Sequence, residues 1–239
     1  DREKVLGDDH PDTLVSRDNL AHACQSAGLI DRAIDLYETC QAAIDRLLGA
    51  DHLDALTVRS NLAFAIQMTG DLDRAIPLYE TTAAALERAA GADHPTTLSC
   101  RNNLASAYQS AGCLDRAIPL LEEVLATRET VLGTDHPKTL SSRNNLACAY
   151  QLAGHQDRAV ALHEETLADR ERVLGAFHPQ TLTSRNNLGY AYESMGNLAL
   201  ALTLYRGALD DMERVLGPDH PETLISRNNL ARATSIVEP

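Results

Sequence analysis

Apolar residues along the chain fall at helical spacing, in blocks that recur. In one block Leu140, Leu146, Ala147, Tyr150 and Ala153 share a helical face. Pro137 stands at the first helical position, where its missing amide hydrogen costs no helical bond, and Gly154 stops the helix. A second helix follows from about Asp157 to Val173, with Ala159, Val160, Leu162, Leu167 and Val173 inward, and Gly175 ends it. No sustained alternation of period two appears, so no strand is expected. Pro77 and Pro119 fall early in the second helix of two blocks and are expected to bend or delay its first turn.

The block recurs every 42 residues without a gap. Gly7, Gly49, Gly91, Gly133, Gly175 and Gly217 keep that step, as do His10, His52, His94, His136, His178 and His220. Leu14 and Arg17 start two further series of six, and Gly28, Gly70, Gly112, Gly154 and Gly196 mark the end of each first helix. A two-helix unit cannot bury its apolar face alone, so neighbours must stack. The expected architecture is an all-α solenoid forming one domain over residues 1–239. Repeats occupy about 7–48, 49–90, 91–132, 133–174 and 175–216, with a lone first helix over 217–239 that caps the stack. That gives eleven main helices, six first and five second. Residues 1–6, Asp1-Arg2-Glu3-Lys4-Val5-Leu6, match the end of a second helix at Asp169–Leu174. Glu238 stands where a turn glycine would follow. The chain lacks an initiating Met and reads as a piece of a longer protein.

Small and aromatic residues specify the repeat further. Asn145-Leu146-Ala147-x-Ala149-Tyr150, then Gly154, then Asp157-Arg158-Ala159-Val160, resembles the tetratricopeptide motif. The 42-residue step and the Leu-Gly-x-Asp-His-Pro turn resemble its longer variant, found in kinesin light chain. Similar arrays occur in bacterial NB-ARC-type signalling proteins, as a C-terminal sensor region. The resemblance implies a right-handed α–α solenoid with first helices on a concave side and a binding role, without naming a ligand. Leu53 in place of the turn proline, Phe177 in place of the turn aspartate, and Ala199-Leu200 in place of Asp-Arg depart from the pattern. The arginines of the Arg17 series fill a place that is usually large and apolar in shorter tetratricopeptides.

On that concave side, steps of four, three and four from position 18 mark one helical face. It carries Asp18, His22, Gln25; Ser60, Phe64, Gln67; Asn102, Ser106, Gln109; Asn144, Cys148, Gln151; Asn186, Tyr190, Glu193; Asn228, Arg232. No Leu lies on it, so it is not the core face. Its outer members are mostly Asn and Gln, while the middle one changes in every repeat. A carboxamide offers a donor and an acceptor, like a peptide group. Asn102, Asn144, Asn186, Asn228, Gln67, Gln109, Gln151 and Glu193 are therefore candidates to pair with the backbone of an extended ligand, with Phe64 and Tyr190 reading its side chains. The same amides also read as a solvated face. The adjacent series Asn19, Asn61, Asn103, Asn145, Asn187 and Asn229 is read as structural.

Arg17 and its equivalents share a stripe with Leu14, Ala21 and Cys24, so each should be partly buried and in need of acceptors. Candidates are Glu38, Glu80, Glu122 and Glu164, or the turn aspartates Asp9, Asp51, Asp93, Asp135 and Asp219. An anion-binding row is the alternative to structural ion pairs. The repeated histidines read as turn packing and caps, because register-equivalent residues lie roughly 10 Å apart, too far to share a metal whose ligands sit roughly 2.0–2.1 Å from it. His155 and His163 lack a third ligand.

Composition narrows the function. Formal net charge is −13 over 239 residues, unlike the basic face of a nucleic-acid binder. No apolar run approaches the roughly 18 residues of a membrane span. The five cysteines form no CxxC pair and read as free thiols in a reducing cytoplasm. No phosphate loop, GxSxG or HExxH occurs, and acid pairs such as Glu122-Glu123 and Glu164-Glu165 read as solvated surface. The expectation is a non-enzymatic module without cofactor or metal. It binds a peptide or protein segment in its groove, as the sensor or scaffold part of a larger protein. Self-assembly, or docking onto other domains of the parent, is the alternative.

Overall fold

A computed structural model describes residues 2–237. Among these are twelve helices and no strand. The first helices are α2 (Pro11–Ser26), α4 (Leu53–Met68), α6 (Pro95–Ser110), α8 (Pro137–Leu152), α10 (Pro179–Ser194) and α12 (Pro221–Val237). The second helices are α3 (Ile30–Leu48), α5 (Leu72–Ala90), α7 (Leu114–Leu132), α9 (Gln156–Leu174) and α11 (Leu198–Val215). The short α1 (Arg2–Leu6) adds a twelfth to the eleven expected. Asp1 and Glu238 lie outside the described residues. The chain divides into two compact units, residues 1–120 and 121–239, with the division inside α7.

Each helix begins where its turn permits. His10, His52, His94, His136, His178 and His220 accept through Nδ1 the backbone amide two residues on, for instance Lys138 N at 3.1 Å from His136. Each histidine thus satisfies one of the amides a helix start leaves unpaired. At the other end Gly154 takes φ +81°, and His155 N reaches back to Tyr150 O at 2.9 Å. That left-handed residue closes the helix as only glycine does cheaply. Pro77 and Pro119 lie inside α5 and α7, yet both helices start in register with α3, at Leu72 and Leu114. The expected delay does not occur. Each proline forfeits one early helical bond, and packing along the rest of the helix offsets it.

Within unit 1, α2 to α6 pack each against the next. Ala21, Ala33, Ala63 and Ala75 are fully buried, and these small residues let the helices approach closely. Tyr37 and Tyr79 fill the space beside them and donate their hydroxyls to Gln25 Oε1 (3.2 Å) and Gln67 Oε1 (3.3 Å). Unit 2 repeats the pattern with Ala147, Ala159, Gly189 and Ala201, and Tyr205 donates to Glu193 at 2.7 Å.

The register position of these tyrosines holds His163 in α9. His163 is fully buried, and neither ring nitrogen has a partner. Its shorter ring leaves Gln151, the register equivalent of Gln25, bonded instead to Ser194 (3.1 Å). Burial, with the nearby Arg170 charge adding to it, pulls the imidazole from 6.5 down to about 4. The folded chain therefore keeps His163 neutral where the unfolded chain takes up a proton. Its penalty is absent above pH 6.5 and grows as pH falls toward 4. Replacing His163 with Leu, the residue at register position 121, should remove about 1–3 kcal/mol of the stability lost between pH 6.5 and 4. Urea unfolding of both proteins across that range checks it, and parallel pH curves would refute it.

Candidate interaction site

The first-helix stripe is neither core nor freely solvated. In unit 2 Asn187 Nδ2 donates to Asn144 Oδ1 (3.1 Å) and Asn229 Nδ2 to Asn186 Oδ1 (3.3 Å). Asn61 Nδ2 lies 3.3 Å from His22 Nε2 in unit 1. Asn61, Asn187 and Asn229, of the series expected to be structural, link successive first helices. In unit 2 the links run through Asn144 and Asn186, amides expected to face a ligand. Asn186 is only 6% exposed, Asn102 and Asn144 are half-buried, and Asn228 is exposed. The outer glutamines are engaged from beneath: Gln67 takes the Tyr79 hydroxyl and donates to Ser106 at 3.4 Å. Gln109 is half-buried. Glu193 accepts from Tyr205 and from Arg232 Nε and Nη2, both at 2.9 Å, which holds its carboxyl below the usual range. Glu193 is thus an ion-pair partner inside the array, not an open ligand group. Of the middle positions, Ser106 and Cys148 are half-buried, and His22, Phe64, Tyr190 and Arg232 face out. Phe64 is 37% and Tyr190 43% exposed, and the Arg232 guanidinium lies 5.2 Å from the Tyr190 ring centre.

The arginine row is a set of ion pairs, whose close contacts run to acids outside the expected series. Arg101 meets Glu87 (2.9 Å), Arg143 meets Glu129 (3.1 Å), Arg185 meets Glu171 (2.9 Å) and Arg227 meets Glu213 (2.7 Å). Arg17 lies 3.6 Å from Asp8, and Arg59 3.6 Å from Asp45. In unit 2 the row also reaches the following second helix, Arg143 to Asp169 at 2.7 Å and Arg185 to Asp211 at 2.8 Å. Of the turn aspartates, Asp9 is bonded to Arg46 (2.9 Å) and Asp135 to Arg172 (2.8 Å). Glu80 accepts the Tyr108 hydroxyl at 2.6 Å and Arg116 at 2.8 Å, while Glu122 and Glu164 accept from Tyr150 and Tyr192. These acids are therefore bound, not plain solvated surface. The signal was the tyrosine series 108, 150 and 192, each 28 residues beyond its acid.

Tetratricopeptide-repeat family models match residues 54–130, 101–172 and 181–222. A solved chain from Podosopora anserina, described as a kinesin light chain of nearly identical TPR-like repeats, is 32% identical. The match covers 86% of this chain and 97% of that one, with TM-score 0.71. The chain belongs to the tetratricopeptide-repeat family. Its array is of the kinesin-light-chain-like type. BtubC (BKLC) of P. vanneervenii shares the fold at 24% identity and TM-score 0.71, covering 87% of this chain and 83% of its own. YrrB, described as a TPR protein with an unusual peptide-binding site, does so at 16% identity and TM-score 0.50, covering 89% and 90%. No curated protein sequence matches the chain significantly. Tetratricopeptide membership makes this a module for protein–protein interaction or scaffolding. Among the described residues no helix is long and apolar enough to cross a membrane, and no group of three His, Cys, Asp or Glu could hold a metal ion.

Burial grades the tetratricopeptide arginine row. The Arg143 side chain is 3% exposed and serves Glu129, Glu165 and Asp169, whereas that of Arg227 is 42% exposed. Arg143→Ala strands partly buried carboxylates and should cost about 2–4 kcal/mol. Arg227→Ala should cost less than about 1 kcal/mol. Urea unfolding of the two variants checks the ranking, and equal losses would refute it.

Proposed function

We propose that the chain holds an extended peptide or protein segment along its first-helix stripe, as the sensor or scaffold part of a larger protein in the cytoplasm. The observation that carries this reading is the division of labour within the stripe. Its amides recur in register, and Gln67, Asn144, Gln151 and Asn186 are held by neighbouring repeats, so they are ordered before any ligand arrives. Its middle position differs in every repeat and is exposed at His22, Phe64, Tyr190 and Arg232. Register-equivalent helices lie roughly 10 Å apart and an extended chain advances roughly 3.3 Å per residue, so one repeat spans about three ligand residues. The peptide-binding site in the description of YrrB supports the same use of the fold. The chemistry is recognition, and no step of catalysis is part of the proposal.

Asn144→Ala with Asn228→Ala should weaken all peptides of a binding panel alike, by about two orders of magnitude, because each lost amide strands a ligand polar group at roughly 1–3 kcal/mol. Tyr190→Ala should instead change which peptides bind. A double variant that binds the panel as wild type does would remove the ladder.

A second reading, self-assembly or docking onto other domains of the parent, draws support from α12. That helix leaves Leu224 and Ile225 near its start and Ile236 and Val237 at its end between 41% and 53% exposed, apolar side chains available for contact. Mass by light scattering across a concentration series separates the readings: a constant monomer mass favours the groove, a rising mass favours assembly.

A further inference from the structure

Position 44 of the repeat register varies together with position 58, fourteen residues on, in four of the five repeats, the fifth pair being Met212 with Ser226. Ile44 goes with Val58, Leu86 with Cys100, Arg128 with Ser142, Arg170 with Ser184 and Met212 with Ser226. Where the position is arginine, the residue is 4% exposed and seated on hydroxyl and carbonyl oxygens. Arg128 Nη1 donates to Ser142 Oγ (2.6 Å) and Lys138 O (3.1 Å). Arg170 Nη1 donates to Ser184 Oγ (2.6 Å) and Gln180 O (3.0 Å), and its Nη2 lies 3.5 Å from Ser141 Oγ. The fold thus contains, between second-helix end and next first helix, a seat shaped for a guanidinium on an aliphatic stem.

In the first repeat that seat is vacated by Ile44 and lies in a cavity of about 400 Å³, within the roughly 300–1,000 Å³ of small-ligand sites. Leu14, Ile44, Leu48 and Val58 wall it, and Asp9, Asp18 and Asp54 line it as well. Asp54 is the register equivalent of Lys138 and Gln180, whose carbonyls hold the two internal arginines. Asp18 stands where later repeats carry Ser60 and then Asn102, Asn144, Asn186 and Asn228, so this seat alone has a carboxylate at that place. Asp18 Oδ1 is buried without a hydrogen-bond partner, and burial raises the carboxyl above its ordinary range despite the nearby His22 and Asn61. Asp9 is bonded to Arg46, and Asp54 lies 3.6 Å from His52. Val15 and Leu47 leave an exposed apolar approach, suited to a methylene stem.

We infer that this cavity receives an arginine side chain of a partner protein, its stem against Leu14, Ile44 and Val58 and its guanidinium on Asp18 and the Asp54 carbonyl. That partner is a protein on the strength of the function proposed above. The cavity itself is tested apart from the stripe. N-acetyl-arginine methylamide is titrated into the whole chain while methyl NMR follows Leu14, Val15, Ile44 and Val58. Shifts should be confined to those methyls. The norleucine analogue, and arginine added to Asp18→Asn, should each bind about tenfold more weakly, the worth of a charged hydrogen bond. Ile44→Arg with Val58→Ser copies the Arg128–Ser142 pair, should fold with wild-type helicity, and should abolish binding. Arginine and norleucine binding alike, Asp18→Asn binding arginine as wild type does, or shifts centred on Tyr190 would each overturn the proposal. If the double variant does not fold, Asp18→Asn alone decides. Failure of the peptide panel on the stripe variants leaves these methyl shifts unaffected, so the two readings fall separately.

Discussion

A glycine near φ +90° and, three residues later, a histidine whose Nδ1 accepts the second helical amide end one helix and start the next. This turn recurs with the same spacing, so α2, α4, α6, α8 and α10 all run 16 residues, and α3, α5, α7 and α9 all run 19. Equal lengths put equivalent side chains at equivalent heights. The arginine row, the tyrosine hydroxyls on Gln25, Gln67 and Glu193, and the Asn–Asn links all require that alignment. A glycine replaced by a side-chain-bearing residue at such a turn strains the backbone itself, because the space around Gly133 is open and only its φ of +89° forbids the change.

Helix identity, helix starts and the buried arginines were legible because they depend on local spacing. Pro137, His136 and Gly154 lie within one turn or one helix of what they control. Ion-pair partners were not legible in the same way. Arg143 finds Glu129 fourteen residues back and Asp169 twenty-six ahead, and those separations follow from how a second helix crosses its neighbours. The turn aspartates were nearer in sequence, but Arg46 and Arg172 reach them first. The stripe was legible as a non-core face from its lack of Leu. That Asn186 is buried beneath Asn229 was not, because the bond joins residues 43 apart through a stacking geometry no single helix encodes.

The paired positions 44 and 58 show the same constraint acting on chemistry. Apolar faces apolar in Ile44–Val58, and guanidinium faces hydroxyl in Arg170–Ser184. Met212 with Ser226 breaks the match, and Ser226 Oγ is left buried without a partner. A buried polar atom is tolerated when its mate changes with it and becomes a cost when it does not.

The unpartnered imidazole of His163 has a kinetic consequence. Both it and Arg170, whose Nε also lacks an acceptor, regain water when α9 lifts from its neighbours. In a stacked array each element is held only by those beside it, so such a recovery lowers the free energy of opening locally instead of spreading through the chain. Amide hydrogens of α9 should accordingly exchange through brief excursions of that one helix more readily than those of α11, whose Tyr205 hydroxyl is bonded to Glu193.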